Sequence, residues 1–164
     1  MQVQVLMFRQ DDPKKCTAAK IVKFKLATSV RTTLSNTLLL DPFAQKTLLR
    51  SDVSLVDSIT GIDCSWELAG KTFTKKFLGI ARKLPPLLAG NPVNYSKLNK
   101  LTTVEAIAGA AFIMGFESLA LDLLGKFKWG HTFYDLNQNL LEDYSKANSE
   151  EEIRSITKEY RLLL

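Results

Sequence analysis

Residues 82–103, RKLPPLLAGNPVNYSKLNKLTT, decide how this chain is organised. Paired prolines, a Gly90-Asn91-Pro92 turn, a basic loop and the opening of a helix follow one another there, more punctuation than a plain connection needs. The segment reads as a binding loop, with strand-like runs before it and helical patterning after it. Thr102 and Glu105 stand in capping-box spacing, and the apolar run that starts at Val104 stops at Gly115, a residue suited to a helix C-terminus. Helices are expected over 102–114, 116–127, 133–144 and 153–163, the last two introduced by Thr132 with Asp135 and by Ser149 with Glu152.

Toward the N-terminus, Val3, Val5 and Met7 alternate with polar neighbours, which predicts an edge-capable strand ended by Asp11-Asp12-Pro13. Residues 17–26 fit a short helix or a strand. The apolar runs 37–40 and 58–64 read as buried strands, the first stopped by Asp41-Pro42. Residues 71–80 suit a short basic helix, and 81–88 a last strand that Pro85 and Pro86 confine to a sheet edge. The expected fold class is α/β. A mixed β-sheet with flanking helices occupies residues 1–90, and an all-helical part occupies 91–164.

At 164 residues and 46% hydrophobic, the chain has enough apolar material for a packed core. Its net charge of +5 is unevenly spread: residues 1–100 carry +9 and residues 101–164 carry −4. The basic residues form three groups, one around Lys14, Lys15, Lys20, Lys23 and Lys25, one at Lys71, Lys75 and Lys76, and one at Arg82, Lys83, Lys97 and Lys100. A solvated surface accounts for such groups; a polyanionic partner is the sharper reading, because two of them border the suspected site. No apolar run approaches the roughly 20 residues that span a bilayer, and the first residues alternate like a strand where a signal peptide would be continuously apolar. A cytoplasmic protein with no membrane partner is expected.

Cys16, Cys64 and the lone His131 cannot supply a four-ligand zinc site, and no C-x-x-C spacing occurs, so no metal is expected. A buried thiol pair accounts for the cysteines, with a disulfide as the alternative. His131 precedes a helix and reads as a structural hydrogen-bonding residue. No G-x-G-x-x-G follows the first strand and no Walker loop is present, which removes Rossmann-type and NTPase sites. Two places remain. The helix that opens at Thr102-Thr103 presents amide N–H groups and a positive dipole end to its surroundings, as any capped helix does and as a carboxylate site requires. Asp63 ends a buried strand beside Trp66, where it either caps a turn or faces a ligand at the sheet edge such folds use for binding.

Six blocks, in order, resemble the small-subunit ribosomal RNA aminocarboxypropyltransferases of archaea and eukaryotes. They are Asp12-Pro13-Lys14-Lys15-Cys16-Thr17-Ala18, residues 39–43, Asp63-Cys64-Ser65-Trp66, Ala89-Gly90-Asn91-Pro92-Val93-Asn94-Tyr95, residues 101–106, and Phe127-Lys128-Trp129-Gly130-His131-Thr132-Phe133. Ser96 stands where many relatives have Gly. The resemblance implies a SPOUT-like, trefoil-knotted fold with S-adenosylmethionine (SAM) between the two parts. It places the Ile62 carbonyl at the ribose, the Leu84 amide and Asn99 carbonyl at the adenine edge, and Leu101 and Ala106 in the adenine pocket. Thr17 and Thr103 hold the methionine end, and Trp66 lies near the methyl.

By the same resemblance, the 3-amino-3-carboxypropyl (acp) group passes to N3 of a modified uridine and methylthioadenosine is released. Asp63 is then the catalytic group, accepting the N3 proton or holding the base. Lys14, Lys15, Lys75, Lys76, Arg82 and Lys83 would meet the phosphates of small-subunit rRNA, and the enzyme would act as a monomer. A SPOUT-like methyltransferase and a non-catalytic RNA-binding assembly factor are the competing readings.

Overall fold

The computed structural model describes residues 1–10 and 12–162. Asp11 and Leu163, which bounded two of the expected elements, lie outside the described residues. Five strands, β1 (Gln2–Met7), β2 (Thr28–Val30), β3 (Thr37–Leu40), β4 (Ser58–Asp63) and β5 (Ile80–Arg82), form one sheet in the order β2-β1-β4-β3-β5. Every pairing is parallel, so the expected mixed sheet is corrected to a parallel one. The apolar runs that identified β3 and β4 are what a strand buried on both faces looks like. β1 is also corrected: it is an interior strand, paired with β2 and β4. Its polar alternation arises inside the sheet, where Gln4 Oε1 accepts from Thr60 Oγ1 at 3.2 Å and Thr60 Oγ1 lies 2.7 Å from Thr37 Oγ1. β5 is an edge strand, as the prolines required, but it stops at Arg82.

Because side chains alternate along a strand, each strand contributes to two cores. Val3, Val5, Leu38, Leu40 and Ile59 face the main core under the helices, while Leu6, Leu39 and Ile62 face a smaller cluster closed by Phe8, Phe73 and Phe77. Among the described residues six helices follow one another along the chain: α1 (Thr17–Lys23), the single turn α2 (Ala69–Thr72), α3 (Thr103–Ile113), α4 (Glu117–Leu124), α5 (Gly130–Lys146) and α6 (Glu150–Glu159), with a 3-10 turn at Arg50–Leu55. The ambiguous segment after residue 16 is therefore a helix, with Cys16 as its N-cap. The expected basic helix over 71–80 contracts to one turn at its start.

The Thr102–Glu105 capping box forms as expected, and Gly115 (φ +94) follows the end of α3 in the left-handed region. Ser149 caps α6 by accepting from the Glu152 amide at 3.2 Å. The Thr132–Asp135 pattern does not cap anything. α5 begins earlier, at Gly130, continuing directly from the turn in which the Gly130 amide donates to the Phe127 carbonyl.

Candidate functional site

A cleft of about 1160 Å³ opens along the C-terminal edge of the parallel sheet, above the ends of β3, β4 and β5. That edge is where open α/β sheets bind ligands. The volume exceeds the 300–1,000 Å³ typical of a small-molecule pocket, leaving space for a second reactant. The structure brings Thr17, Ile62, Asp63, Trp66, Leu84, Asn99, Leu101, Thr103 and Ala106 together on its wall.

At the floor, Asp63 meets the starts of two helices. Thr103 Oγ1 donates to Asp63 Oδ1 at 2.7 Å, and Cys16 Sγ donates to Asp63 Oδ2 at 3.1 Å. Among the described residues each carboxylate oxygen thus has one fixed donor and keeps a second acceptor direction for a ligand. Burial, reinforced by the bond to Asp63 and its negative charge, raises the Cys16 thiol to about 11, although the Ala19 amide pulls the other way. Cys16 is therefore a neutral donor at physiological pH. Both cysteines are half-buried, which corrects the expected buried pair; they lie on opposite sides of the sheet, Cys16 against the main core and Cys64 against the Leu6–Leu39–Ile62 cluster.

The two threonines differ in what they still offer. Thr17 Oγ1 accepts from the Val104 amide at 3.2 Å, which joins α1 to α3 and leaves the Thr17 hydroxyl hydrogen available. The Glu105 amide is taken by Thr102 Oγ1 at 3.3 Å. Of the first three amides of α3, only that of Thr103 has no acceptor among the described residues, so a carboxylate would meet one N–H there, with the helix dipole behind it.

The far wall is the loop that the sequence singled out. Glu105, fully buried, binds it down: Oε1 accepts from the Gly90 amide at 2.7 Å and the Asn91 amide at 3.0 Å, and Oε2 accepts from Asn91 Nδ2 at 2.8 Å and from Thr102 N and Oγ1 at 2.7 and 2.9 Å. The sequence showed this residue only as a helix cap. Gly90 packs on the start of α5, where a Cβ would lie 2.6 Å from Phe133 Cα. Asn99 holds φ +58 and pairs twice with Leu87, its amide donating to the Leu87 carbonyl at 2.9 Å and its Oδ1 accepting from the Leu87 amide at 3.2 Å. Trp66 is 38% exposed; its Nε1 donates to the Leu101 carbonyl at 3.1 Å, and the Lys100 ammonium lies 4.8 Å from its ring. One face of that ring therefore already holds a cation.

The basic residues separate. Lys15 and Lys83 line the cleft, Lys14 and Lys76 are exposed outside it, and Lys75 lies at a second, smaller cleft. Arg82 is occupied: its Nε lies 3.1 Å from both Asp52 oxygens and its Nη2 2.9 Å from Oδ1, with both side chains largely buried. A guanidinium held this way ties β5 to the 3-10 turn and is not available to phosphate. Sequence reasoning missed Arg154 and Lys158, which reach the cleft from α6, in the acidic part of the chain. Nothing in their local pattern distinguishes them from a solvated helix face. His131 is exposed and outside both clefts. Among the described residues no group of three or more His, Cys, Asp or Glu is arranged to hold a metal ion.

Residues 38–161 match the family described as ribosome biogenesis protein, C-terminal. Residues 1–33 match a possible Fer4-like domain in RNase L inhibitor, but that segment contains only Cys16, and an iron–sulfur cluster takes four cysteines. The chain is 40% identical to the 16S rRNA aminocarboxypropyltransferase of Saccharolobus solfataricus over 97% of its length and 95% of that protein. It is 44% identical to the 16S rRNA aminocarboxypropyltransferase of Methanococcoides burtonii, covering 93% and 90%. The solved SAM-dependent rRNA:acp-transferase Tsr3 from Vulcanisaeta distributa superposes with a TM-score of 0.85 at 34% identity, covering 98% of this chain and 96% of that one.

Proposed function

This chain belongs to the ribosome biogenesis family of 16S rRNA aminocarboxypropyltransferases, and on that premise we propose that it transfers the acp group of SAM to N3 of a modified uridine in small-subunit rRNA. The single observation that supports the site is the convergence of Asp63, Thr17, Thr103 and Trp66 on one cleft at the C-terminal sheet edge, with the adenine-side positions Leu84, Asn99, Leu101 and Ala106 on its wall.

The residues fit the molecule. Apolar Leu84, Leu101 and Ala106 suit adenine, the Thr103 amide and Thr17 hydroxyl suit a carboxylate, and Trp66 offers a face to a sulfonium. When bound, SAM supplies an activated carbon on sulfur whose release as a neutral thioether needs no acid. The protein's part is alignment: it must present that carbon, rather than the methyl, in line with the incoming nitrogen. Asp63 has a free acceptor direction on each oxygen; it receives the N3–H hydrogen bond and takes the proton as the nitrogen–carbon bond forms and the carbon–sulfur bond breaks. Thr103 and Cys16 keep it pointed.

The same reading includes a SPOUT-like knotted chain path. Residues 86–90 run between two helices: Tyr144 Oη donates to the Pro86 carbonyl at 3.0 Å, Asn137 brackets Leu88 with two bonds of 2.8 Å, and Glu105 holds Gly90 from the other side. The reading also includes a division of labour between residues 1–90 and 91–164, with rRNA phosphates met by Lys14, Lys15, Lys76 and Lys83. A monomer working in the cytoplasm completes it; no helix among the described residues is long and apolar enough to cross a membrane.

The test uses SAM labelled either in the methyl or in the carboxyl group, with small-subunit RNA from cells lacking the protein. Carboxyl label in RNA without methyl label is the expected result. Methyl label alone would make the protein a methyltransferase, and failure to bind SAM would make it an RNA-binding assembly factor.

A further inference from the structure

A second cleft, of about 620 Å³, lies on the same sheet edge, over the ends of β1 and β2. Arg9, Arg31 and Lys75 line it together with the rings of Phe8 and Phe77, and none of the described residues around it is acidic. The rings meet edge to face with centroids 6.3 Å apart, and the Lys75 ammonium sits 5.1 Å from the Phe8 centroid. Arg9 holds φ +53, a left-handed conformation that non-glycine residues adopt at a cost.

This cleft adjoins the first. β1 pairs with β4, and the Phe8 amide donates to the Asp63 carbonyl at 3.0 Å. Adjacent strands stand about 4.8 Å apart, so the backbones of Asp63 and Phe8 are one strand apart, with their side chains on opposite faces of the sheet edge. A line of rings joins the two: Phe8 to Phe77 at 6.3 Å, Phe77 to Phe73 at 6.5 Å, and Phe73, on the wall of the large cleft, to Phe43 at 5.8 Å. Cations flanking aromatic rings along an open groove are how single-stranded nucleic acids are held without regard to sequence, the bases stacking on the rings.

We propose that the Phe8–Phe77 cleft holds a nucleotide of the single-stranded RNA next to the target base, its phosphates on Arg9 and Arg31 and its base against the two rings, with Lys75 moving off Phe8 to a phosphate. The inference rests on the RNA-modifying function above and extends it to a second subsite. A complementary charge and the line of rings running to the wall of the large cleft distinguish this cleft from apolar surface that merely covers the sheet.

The test compares wild type with the variant Arg9→Ser/Arg31→Ser/Lys75→Ser, all three positions being exposed. Binding is measured over a range of salt to an rRNA fragment carrying the target uridine, with and without a single-stranded extension, alongside SAM affinity and carboxyl-label transfer. The variant should bind the extended fragment at least tenfold more weakly, with the slope of log K against log salt reduced by about 2, since each single-strand phosphate contact contributes about 0.7. The unextended fragment and SAM should bind as before. Phe8→Leu should weaken binding of the extended fragment without changing the slope. An unchanged affinity and slope in the triple variant, with wild type active, overturns the subsite alone. Wild type that binds the extended RNA through these residues but transfers no label overturns the proposed reaction and leaves the subsite standing.

Discussion

Thr103 Oγ1 donates to Asp63 Oδ1 at 2.7 Å, across 40 positions of chain, because Gly61 on the same face of β4 has no side chain. A Cβ at Gly61 would lie 3.0 Å from both Thr103 Cγ2 and Ile107 Cδ1, so the first turn of α3 settles on the strand only over a glycine. Asp63→Asn should slow transfer by about a hundredfold, the lower end of what a positioned proton acceptor contributes. Thr103→Val, which loses one hydrogen bond to a carboxylate, should slow it by about tenfold, and Gly61→Ala should act in the same direction. Single-turnover rates with carboxyl-labelled SAM measure all three; wild-type rates in Asp63→Asn would remove Asp63 from the chemistry.

Trp66 is fixed at one end by the Leu101 carbonyl and covered on one face by Lys100. Trp66→Ala should raise the Kd for SAM by about tenfold, the scale of a partly desolvated cation–π contact. Trp66→Phe keeps an aromatic face, loses the tether and should fall between. Titration calorimetry decides this, and equal affinities for wild type and Trp66→Ala would place the sulfonium elsewhere.

The Cys16 thiol, pushed up to about 11 from 9.0 chiefly by burial, gives a pH dependence of defined sign. The folded state holds this proton more tightly than the unfolded chain does. Its contribution is therefore complete below pH 9 and is lost as pH rises toward 11. Cys16→Ser should flatten that alkaline loss while keeping the cap on Ala19. At pH 8, alkylation of Cys16 should run roughly 100-fold slower than that of an unperturbed thiol, read by site-resolved mass spectrometry.

Glu105→Gln leaves the loop wall with an amide group facing the donors of Gly90, Asn91 and Thr102. A loss of about 3 kcal/mol is expected, lowering Tm by roughly 6–12 °C. SAM affinity should fall as well, since Asn99 and Leu101 lie on the loop so held. A variant as stable as wild type would show that the loop stands without this carboxylate.

Ser96 holds φ +63, the left-handed region glycine prefers. Ser96→Gly should raise Tm by about 2 °C, the strain relieved exceeding the added flexibility of the unfolded chain. A fall in Tm would mean the Ser96 side chain contributes more than its backbone costs.

The parts legible from sequence were those with local causes. β3 and β4 announced themselves as apolar runs, and α3 and α6 by caps whose side chains do what the spacing says. Strand direction was not legible, because it depends on crossovers and not on any strand's own residues. β2 has only Thr28, Ser29 and Val30, too few to show a period. α5 begins on a turn inherited from Phe127, so the Thr132–Asp135 spacing signals nothing. In the site, Asp63 and the 90–103 loop stood out by position and punctuation. The Cys16–Asp63 bond, the fivefold engagement of Glu105 and the approach of Arg154 and Lys158 come from distant contacts and left no trace in the pattern.

The Thr47 amide donates to Glu150 Oε1 at 2.5 Å, joining the segment after β3 to the start of α6, and both residues stand on the rim of the large cleft. A ribosome delivers Asp63, the loop and α3 well before α6, and chains emerge at roughly 5–20 residues per second. The groups that would hold the small substrate thus exist for several seconds without one side of their enclosure. A chain that has not yet made α6 would have an open trough where the folded chain has a bounded cleft, so the enclosure is completed only when α6 is in place.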